Sequence, residues 1–270
     1  MSRSAIPYLD VTWSPTTGCT PISPGCDHCW ARSMLRRFGK TVDAIDPVEP
    51  QCHPERLSIP AHWRKPKVVG VSFLGDLVHP RISPEFVCEV LDVMRREYKH
   101  TFIVLTKRPR LLLDALGHWA DHGSTGLRDC PNIWIGVSVE DQKTADERIP
   151  LLLEIPAAHK WVSVEPQLGD VDLHVGLRLQ MRTPPPTFRE EVWWKRLGPS
   201  EINWVVCGCE SGPARRPFDE NWARTLRDQC TAAGVPFFYK QAPGRNGKVD
   251  PLPRLDGDLH RVLPWKYGAC

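Results

Sequence analysis

The sequence has no apolar run of transmembrane length, and its N-terminus carries no apolar h-region of a secretory leader. A membrane protein is therefore not expected. Net charge is scarce as well. Lys and Arg number 35 against 32 Asp and Glu, leaving +3 at pH 7, which permits a nucleic-acid partner without requiring one. No Gly-x-Gly-x-x-Gly follows the first candidate strand and no phosphate-loop signature occurs, so the nucleotide-binding open sheets lose their sequence support. A disulfide scaffold is not indicated either. Ten cysteines would suit a short secreted chain, but this one has 270 residues. Seven of its cysteines are dispersed, several inside apolar runs such as Val87-Cys88 and Val206-Cys207, where cysteine acts as a small hydrophobe. A reducing cytoplasm is the expected compartment.

What the chain does have is 41% hydrophobic residues and 11 tryptophans, enough for a substantial core in one large domain or two small ones. It also has three cysteines, Cys19, Cys26 and Cys29, within eleven residues. The prolines and glycines around them make this stretch a loop. Three thiolates held together repel one another unless something binds them. A structural zinc wants a fourth ligand and a closed shell. An iron–sulfur cluster on three cysteines keeps one iron open. The spacing leaves both readings standing.

Around the loop, apolar runs alternate with amphipathic segments. Strands are expected at 8–13, 67–74, 101–106, 132–138, 160–164, 202–208 and 235–239. Ala31, Met34, Leu35 and Phe38 mark one helix face; Ser83-Pro84, Pro109, Asp141 and Asp219 open four more helices, with an interruption expected at Pro150. This alternation predicts right-handed parallel βαβ units. The expected fold is α/β, a (β/α) barrel, complete or partial, with a parallel sheet and surface insertions. Residues 1–243 are expected to form one barrel-like domain and 244–270 a tail packing on it. Residues 174–200, with Pro184-Pro185-Pro186 and five basic against two acidic residues, read as a surface insertion, either a plain loop or a lid or nucleic-acid contact.

Polar residues recur at the expected strand ends: Asp76 with His79, Lys107-Arg108, Ser138-Val139-Glu140, Ser163-Val164-Glu165, Cys209-Glu210 and Lys240-Gln241. Taken singly, each suits a solvated turn or a helix cap. Taken together, they occupy the carboxyl ends of the strands, where α/β folds place their active sites. The cysteine loop follows the first strand and belongs to the same end. In both Ser-Val-Glu copies, Ser and Glu fall on one side of the chain.

Thr12-Trp13-Ser14-Pro15-Thr16-Thr17-Gly18-Cys19, Ser23-Pro24-Gly25-Cys26-Asp27-His28-Cys29, Leu105-Thr106-Lys107-Arg108-Pro109, Gly136-Val137-Ser138-Val139-Glu140, Ser163-Val164-Glu165-Pro166, Gly208-Cys209-Glu210-Ser211-Gly212 and Lys240-Gln241 resemble the successive motifs of the phage-associated three-cysteine family. That family is a domain of unknown function, itself similar to radical S-adenosylmethionine enzymes. The resemblance implies a radical-SAM-like barrel with a [4Fe–4S] cluster on Cys19, Cys26 and Cys29, and S-adenosylmethionine at the open iron. Asp76, Lys107, Ser138 and Ser163 would then contact the cofactor, with Glu140, Glu165, Glu210 and Lys240 as catalytic groups. It also implies an electron donor such as a reductase, a co-encoded partner protein, and a substrate for which nucleic acid is a candidate by analogy. The first gap is six residues where radical enzymes have three, and His28 stands where they carry an aromatic residue. Two other readings stay open. One is a zinc-stabilised nucleic-acid-binding or adaptor protein, with His28, Cys52 or His53 completing the shell. The other is a metal-dependent hydrolase or nuclease with a structural cysteine site.

Overall fold

Strand and helix alternate because near-continuous apolar runs, buried on both faces, are separated by capped amphipathic segments. The computed structural model describes residues 4–38, 48–121, 126–177, 202–212 and 214–266. Its strands are β1 (Val11–Trp13), β2 (Thr16–Thr17), β3 (Gln51–Cys52), β4 (Val68–Val71), β5 (Thr101–Thr106), β6 (Ile133–Val139), β7 (His159–Val164), β8 (Trp204–Gly208), β9 (Phe237–Pro243) and β10 (Val249–Asp250). Its helices are α1 (Trp30–Phe38), α2 (Pro84–Arg96), α3 (Pro109–Asp121), α4 (Gln142–Glu154), α5 (His174–Leu177) and α6 (Glu220–Ala233).

Local chemistry sets the helix ends. Ser83 Oγ accepts from Phe86 N at 3.3 Å with Pro84 behind it, opening α2. Asp141 and Thr144 form a reciprocal capping box on α4. Gly234, at φ +67°, closes α6 in a left-handed conformation. The interruption expected at Pro150 does not occur, and α4 runs through it to Glu154. Ile149 and Leu152, buried on either side of the proline, hold the helix against the sheet, and that packing outweighs one missing backbone bond.

Eight strands form one sheet in the order β1-β4-β5-β6-β7-β8-β9-β10. Every pairing is parallel except β9 with β10. The order follows the chain without reversal, as successive βαβ units require. The short β2 and β3 pair separately and antiparallel. The fold is thus mixed α/β, with a mostly parallel eight-stranded sheet flanked by helices. No helix among the described residues is long and apolar enough to cross a membrane. Most of the 174–200 stretch (178 onward) lies outside the described residues.

The two sheet faces differ. Phe102, Val104, Ile135, Val162 and Val205 pack against Val90, Leu91, Leu112, Ile149 and Leu226 of the helices. Alternate residues build a second core of Tyr8, Leu9, Ile103, Trp134, Trp161, Trp204, Val206 and Phe238. Tyr8 meets Trp204 edge-on at 5.1 Å and Phe238 at 5.7 Å between ring centroids. Gly136 makes room here. A Cβ on it would lie 2.3 Å from Trp161 Nε1. The indole reaches across β6 and donates to Val104 O at 3.1 Å. The chain after β10 returns to the same face. Trp204 Nε1 donates to Val262 O at 3.0 Å, and Leu263 and Trp265 pack on the aromatic core.

Candidate functional site

Followed toward their carboxyl ends, the positions on the face bearing the aromatic core, the inner face, turn from aromatic to polar. On β6 the series is Trp134, Gly136, Ser138; on β7 it is Trp161, Ser163 and then Glu165; on β9 it is Phe238, Lys240. A pocket opens there. Its wall includes Cys19, Cys26, Cys29, Asp76, Lys107, Ser138, Ser163, Glu165, Glu210 and Lys240, with apolar cover from Ile6, Tyr8, Trp30, Phe73 and Leu105. Of the cysteines and the expected cofactor-contacting and catalytic residues, Glu140 alone does not line it, that side chain being wholly buried behind the loop, and His79 and Gln241 lie outside it too.

Three strand-end carboxylates, each paired with an arginine, hold the cysteine loop, Asp76 through its arginine, Glu140 directly and Glu210 in both ways. Asp76 accepts from Arg108 Nη1 at 2.8 Å and from Thr106 Oγ1 at 2.8 Å. Arg108 then donates to Cys19 Sγ at 3.4 Å and to Thr20 O at 2.9 Å. Glu140 meets Arg148 Nη1 at 3.3 Å, accepts from Ser23 Oγ at 2.8 Å and pairs with Lys107. Gly25 lies directly on it, since a Cβ there would come within 2.4 Å of Glu140 Cγ. Glu210 is bound by Arg216 through both backbone and side chain and shares a hydrogen with His28 Nδ1 at 2.9 Å. Arg216 also donates to Pro24 O at 2.8 Å. The loop is therefore fastened near Cys19, near Cys26 and at Pro24 and His28 by groups from three different strands.

Electrostatics at the thiols follow from these neighbours. Burial and Asp76 push the Cys19 thiol up, against the pull of Arg108. Burial pushes Cys26 up too. There the charge of Lys107, whose Nζ lies 3.5 Å from the sulfur, and hydrogen bonds from Ile22 and Ser23 outweigh it, and the thiol ends below its ordinary value. Burial also raises the Glu210 carboxyl, but hydrogen bonds from Arg216 and His28 dominate and hold it at about 2. Cys209 lines the pocket, yet burial raises it to about 12, so it stays a neutral thiol.

The fourth strand-end carboxylate is different. Glu165 pairs with Lys240 Nζ at 2.6 Å and does not touch the loop. Ser138 Oγ donates to Glu165 O at 3.1 Å.

Of the candidate zinc ligands, Cys52 and His53 do not reach the pocket. Cys52 is exposed on β3, and His53 Nε2 bonds Thr17 Oγ1 at 2.7 Å. His28 does line the pocket, with Nδ1 turned to Glu210. Among the described residues no three His, Cys, Asp or Glu side chains converge on one ion position. Sequence reasoning missed Arg148, Arg216, Ser23 and Tyr8. Arg148 had a usable signal: it lies four residues before Leu152 and three after Ala145, a charge on an apolar helix stripe, and such a charge is buried only with a partner.

A family model described as "Protein of unknown function (DUF5131)" matches residues 3–264. No curated protein and no solved structure matched the chain.

Proposed function

The chain belongs to the DUF5131 family of proteins of unknown function, and from that premise we propose that it is an iron–sulfur enzyme of the radical S-adenosylmethionine type. The cluster would sit on Cys19, Cys26 and Cys29 at the rim of the pocket. The observation that carries the reading is the placement of these three thiols on one pocket wall with Arg108 against Cys19 and Lys107 against Cys26. Cations beside sulfur favour the thiolate that a metal needs. The three thiols line a cavity with room beside them, which suits a cluster that keeps one iron open. The sequential, parallel strand order supports the reading as a (β/α) barrel, complete or partial.

When bound, such a cluster supplies one-electron chemistry to adenosylmethionine at the iron that has no protein ligand, using electrons from a reductase. The chain's own residues have separable tasks. Asp76 shapes the loop through Arg108, Glu140 through Ser23 with Arg148 as its counter-charge, and Glu210 through Arg216 and His28. Lys107 lines the pocket with its ammonium engaged by Glu140, Ser23 and Cys26, so its charge serves the loop, and Ser138 lines the same pocket with its hydroxyl donated to Glu165 O. Tyr8, Phe73, Leu105 and Trp30 exclude water from part of the cavity. The hydrolase reading finds less support, because Asp76, Glu140 and Glu210 are each engaged by an arginine and not grouped around a metal position.

The test is composition after anaerobic purification. The protein is expected to be brown, with about four irons and four acid-labile sulfides per chain, and Cys26→Ala is expected to lose both. A colourless protein holding one tight zinc would overturn the reading in favour of a zinc-stabilised binding protein. Reductive cleavage of adenosylmethionine by the brown protein tests the second cofactor separately.

A further inference from the structure

The floor of the pocket holds polar groups that the cysteine loop does not use. Ser163 is 1% exposed and Tyr8 4%, both line the pocket, and neither hydroxyl has a hydrogen-bond partner among the described residues. Beside them stand Glu165 and Lys240, whose side chains are 16% and 14% exposed and also line the pocket. Their pairing uses only Glu165 Oε1, and Lys240 Nζ bonds nothing else among the described residues. Hydroxyls and half-used charges that open onto a cavity are free to bond what enters it, and a cavity of this kind is where a ligand supplies the partner.

The chemistry narrows the ligand. The Glu165–Lys240 pair is neutral as a whole, so the floor selects neither an anion nor a cation. It presents an acceptor and a donor side by side, with two hydroxyls able to play either part. The walls around it, Ile6, Phe73, Leu105 and the Tyr8 ring, are apolar and partly flat. We propose that this floor is a binding site for a neutral lactam-type heterocycle, a base edge such as uracil or hypoxanthine presents. Its ring N–H would donate to Glu165 and its carbonyl would accept from Lys240. Proteins that read unstacked bases use this same combination of edge hydrogen bonds and apolar faces. The site does not depend on what the cysteines bind, so iron analysis and ligand binding can fail independently.

Calorimetry on the full-length protein as purified tests it, with uridine and inosine as probes. Adenosine, which has no lactam edge, and ribose are the comparison. Uridine and inosine are expected to bind, with adenosine and ribose at least about tenfold weaker, the loss that follows when a charged hydrogen-bond partner is missing. Lys240→Met and Glu165→Gln are each expected to weaken the lactam probes about tenfold, and Ser163→Ala by a smaller factor. Near-UV circular dichroism confirms that each variant is folded, and Ser163→Ala, the mildest change, keeps the test available if the charged variants misfold. No binding of either lactam probe to the folded protein would overturn the proposal. So would equal binding of adenosine or ribose, or lactam binding untouched by all three substitutions.

Discussion

Glu140 and Glu210 show how much of the site's shape rests on single side chains. Glu140 has no exposed surface and faces Arg148, Lys107 and Ser23 together. Removing it leaves two cations without a counter-charge. Glu140→Ala is expected to cost about 3–5 kcal/mol of stability, the usual penalty for breaking a buried ion pair from one side. Urea unfolding measures this as a lower midpoint at unchanged slope; a loss below about 1 kcal/mol would show that the pairs are not formed. Glu140→Gln keeps an acceptor for Ser23 and is expected to fall between. Glu210 leaves a pH signature. Its folded carboxyl sits at about 2, below the ordinary value of about 4.3. Its contribution is therefore complete above pH of about 4.3 and is lost as pH falls toward 2. The stability difference between the wild type and Glu210→Gln should be constant above pH of about 5 and shrink steadily below it. A difference that stays flat down to pH 2 would mean that Arg216 and His28 do not hold this carboxylate.

At the scale of elements, strands and helices were legible where one local signal governs. The apolar run at 67–74 became a strand only over Val68–Val71, the Ser83-Pro84 start opened the expected helix, and strand ends marked as polar do meet at one pocket. Illegible features depend on partners distant in sequence. Pro150 looks like a helix breaker, and only the burial of Ile149 and Leu152 explains why α4 continues. Arg216 looks like a surface arginine until Glu210 is seen opposite it, and the stripe position of Arg148 signals burial without naming Glu140 as its partner. Ser-Val-Glu occurs twice, yet the copies part ways. Glu140 turns behind the loop, while Glu165 faces Lys240 in the pocket. Nothing in the repeated triplet distinguishes them, because the difference lies in what α4 and β9 bring near each. Gly136 is a further case, a strand glycine whose reason is the Trp161 indole lying over it. Gly136→Ala is expected to force that ring aside and to cost about 1–3 kcal/mol. Thermal unfolding should show the loss, and a wild-type melting temperature would mean that the indole does not cross β6 there.

Across the whole molecule, the inner face has two ends with different tasks. At the carboxyl ends of the strands the cysteine loop and its three carboxylate–arginine pairs cover the pocket. At the amino ends the returning chain closes the aromatic core. Trp265 stacks edge-on against Trp204 at 4.9 Å and Trp134 at 5.6 Å, and Val262 N donates to Phe237 O at 3.2 Å. The seven residues of β6 separate the two ends, a span of about 20 Å at the usual rise per residue. Groups that far apart with no shared partner contribute to stability almost additively. Trp265→Ala should therefore weaken the core without disturbing the loop. Trp265 is only half-buried, so the expected loss is about 2 kcal/mol, below the range for a fully buried tryptophan. With the cluster proposed above on Cys19, Cys26 and Cys29, iron bound per folded chain should stay at the wild-type level, whereas Glu140→Ala should lower iron retention and stability together. Measuring urea midpoint and iron content on both variants separates the two ends. If Trp265→Ala unfolds at the wild-type midpoint, the returning chain is not part of the core. If it sheds iron while its stability holds, the two ends are coupled through the strands, and the loop is shaped by more than the three pairs that fasten it.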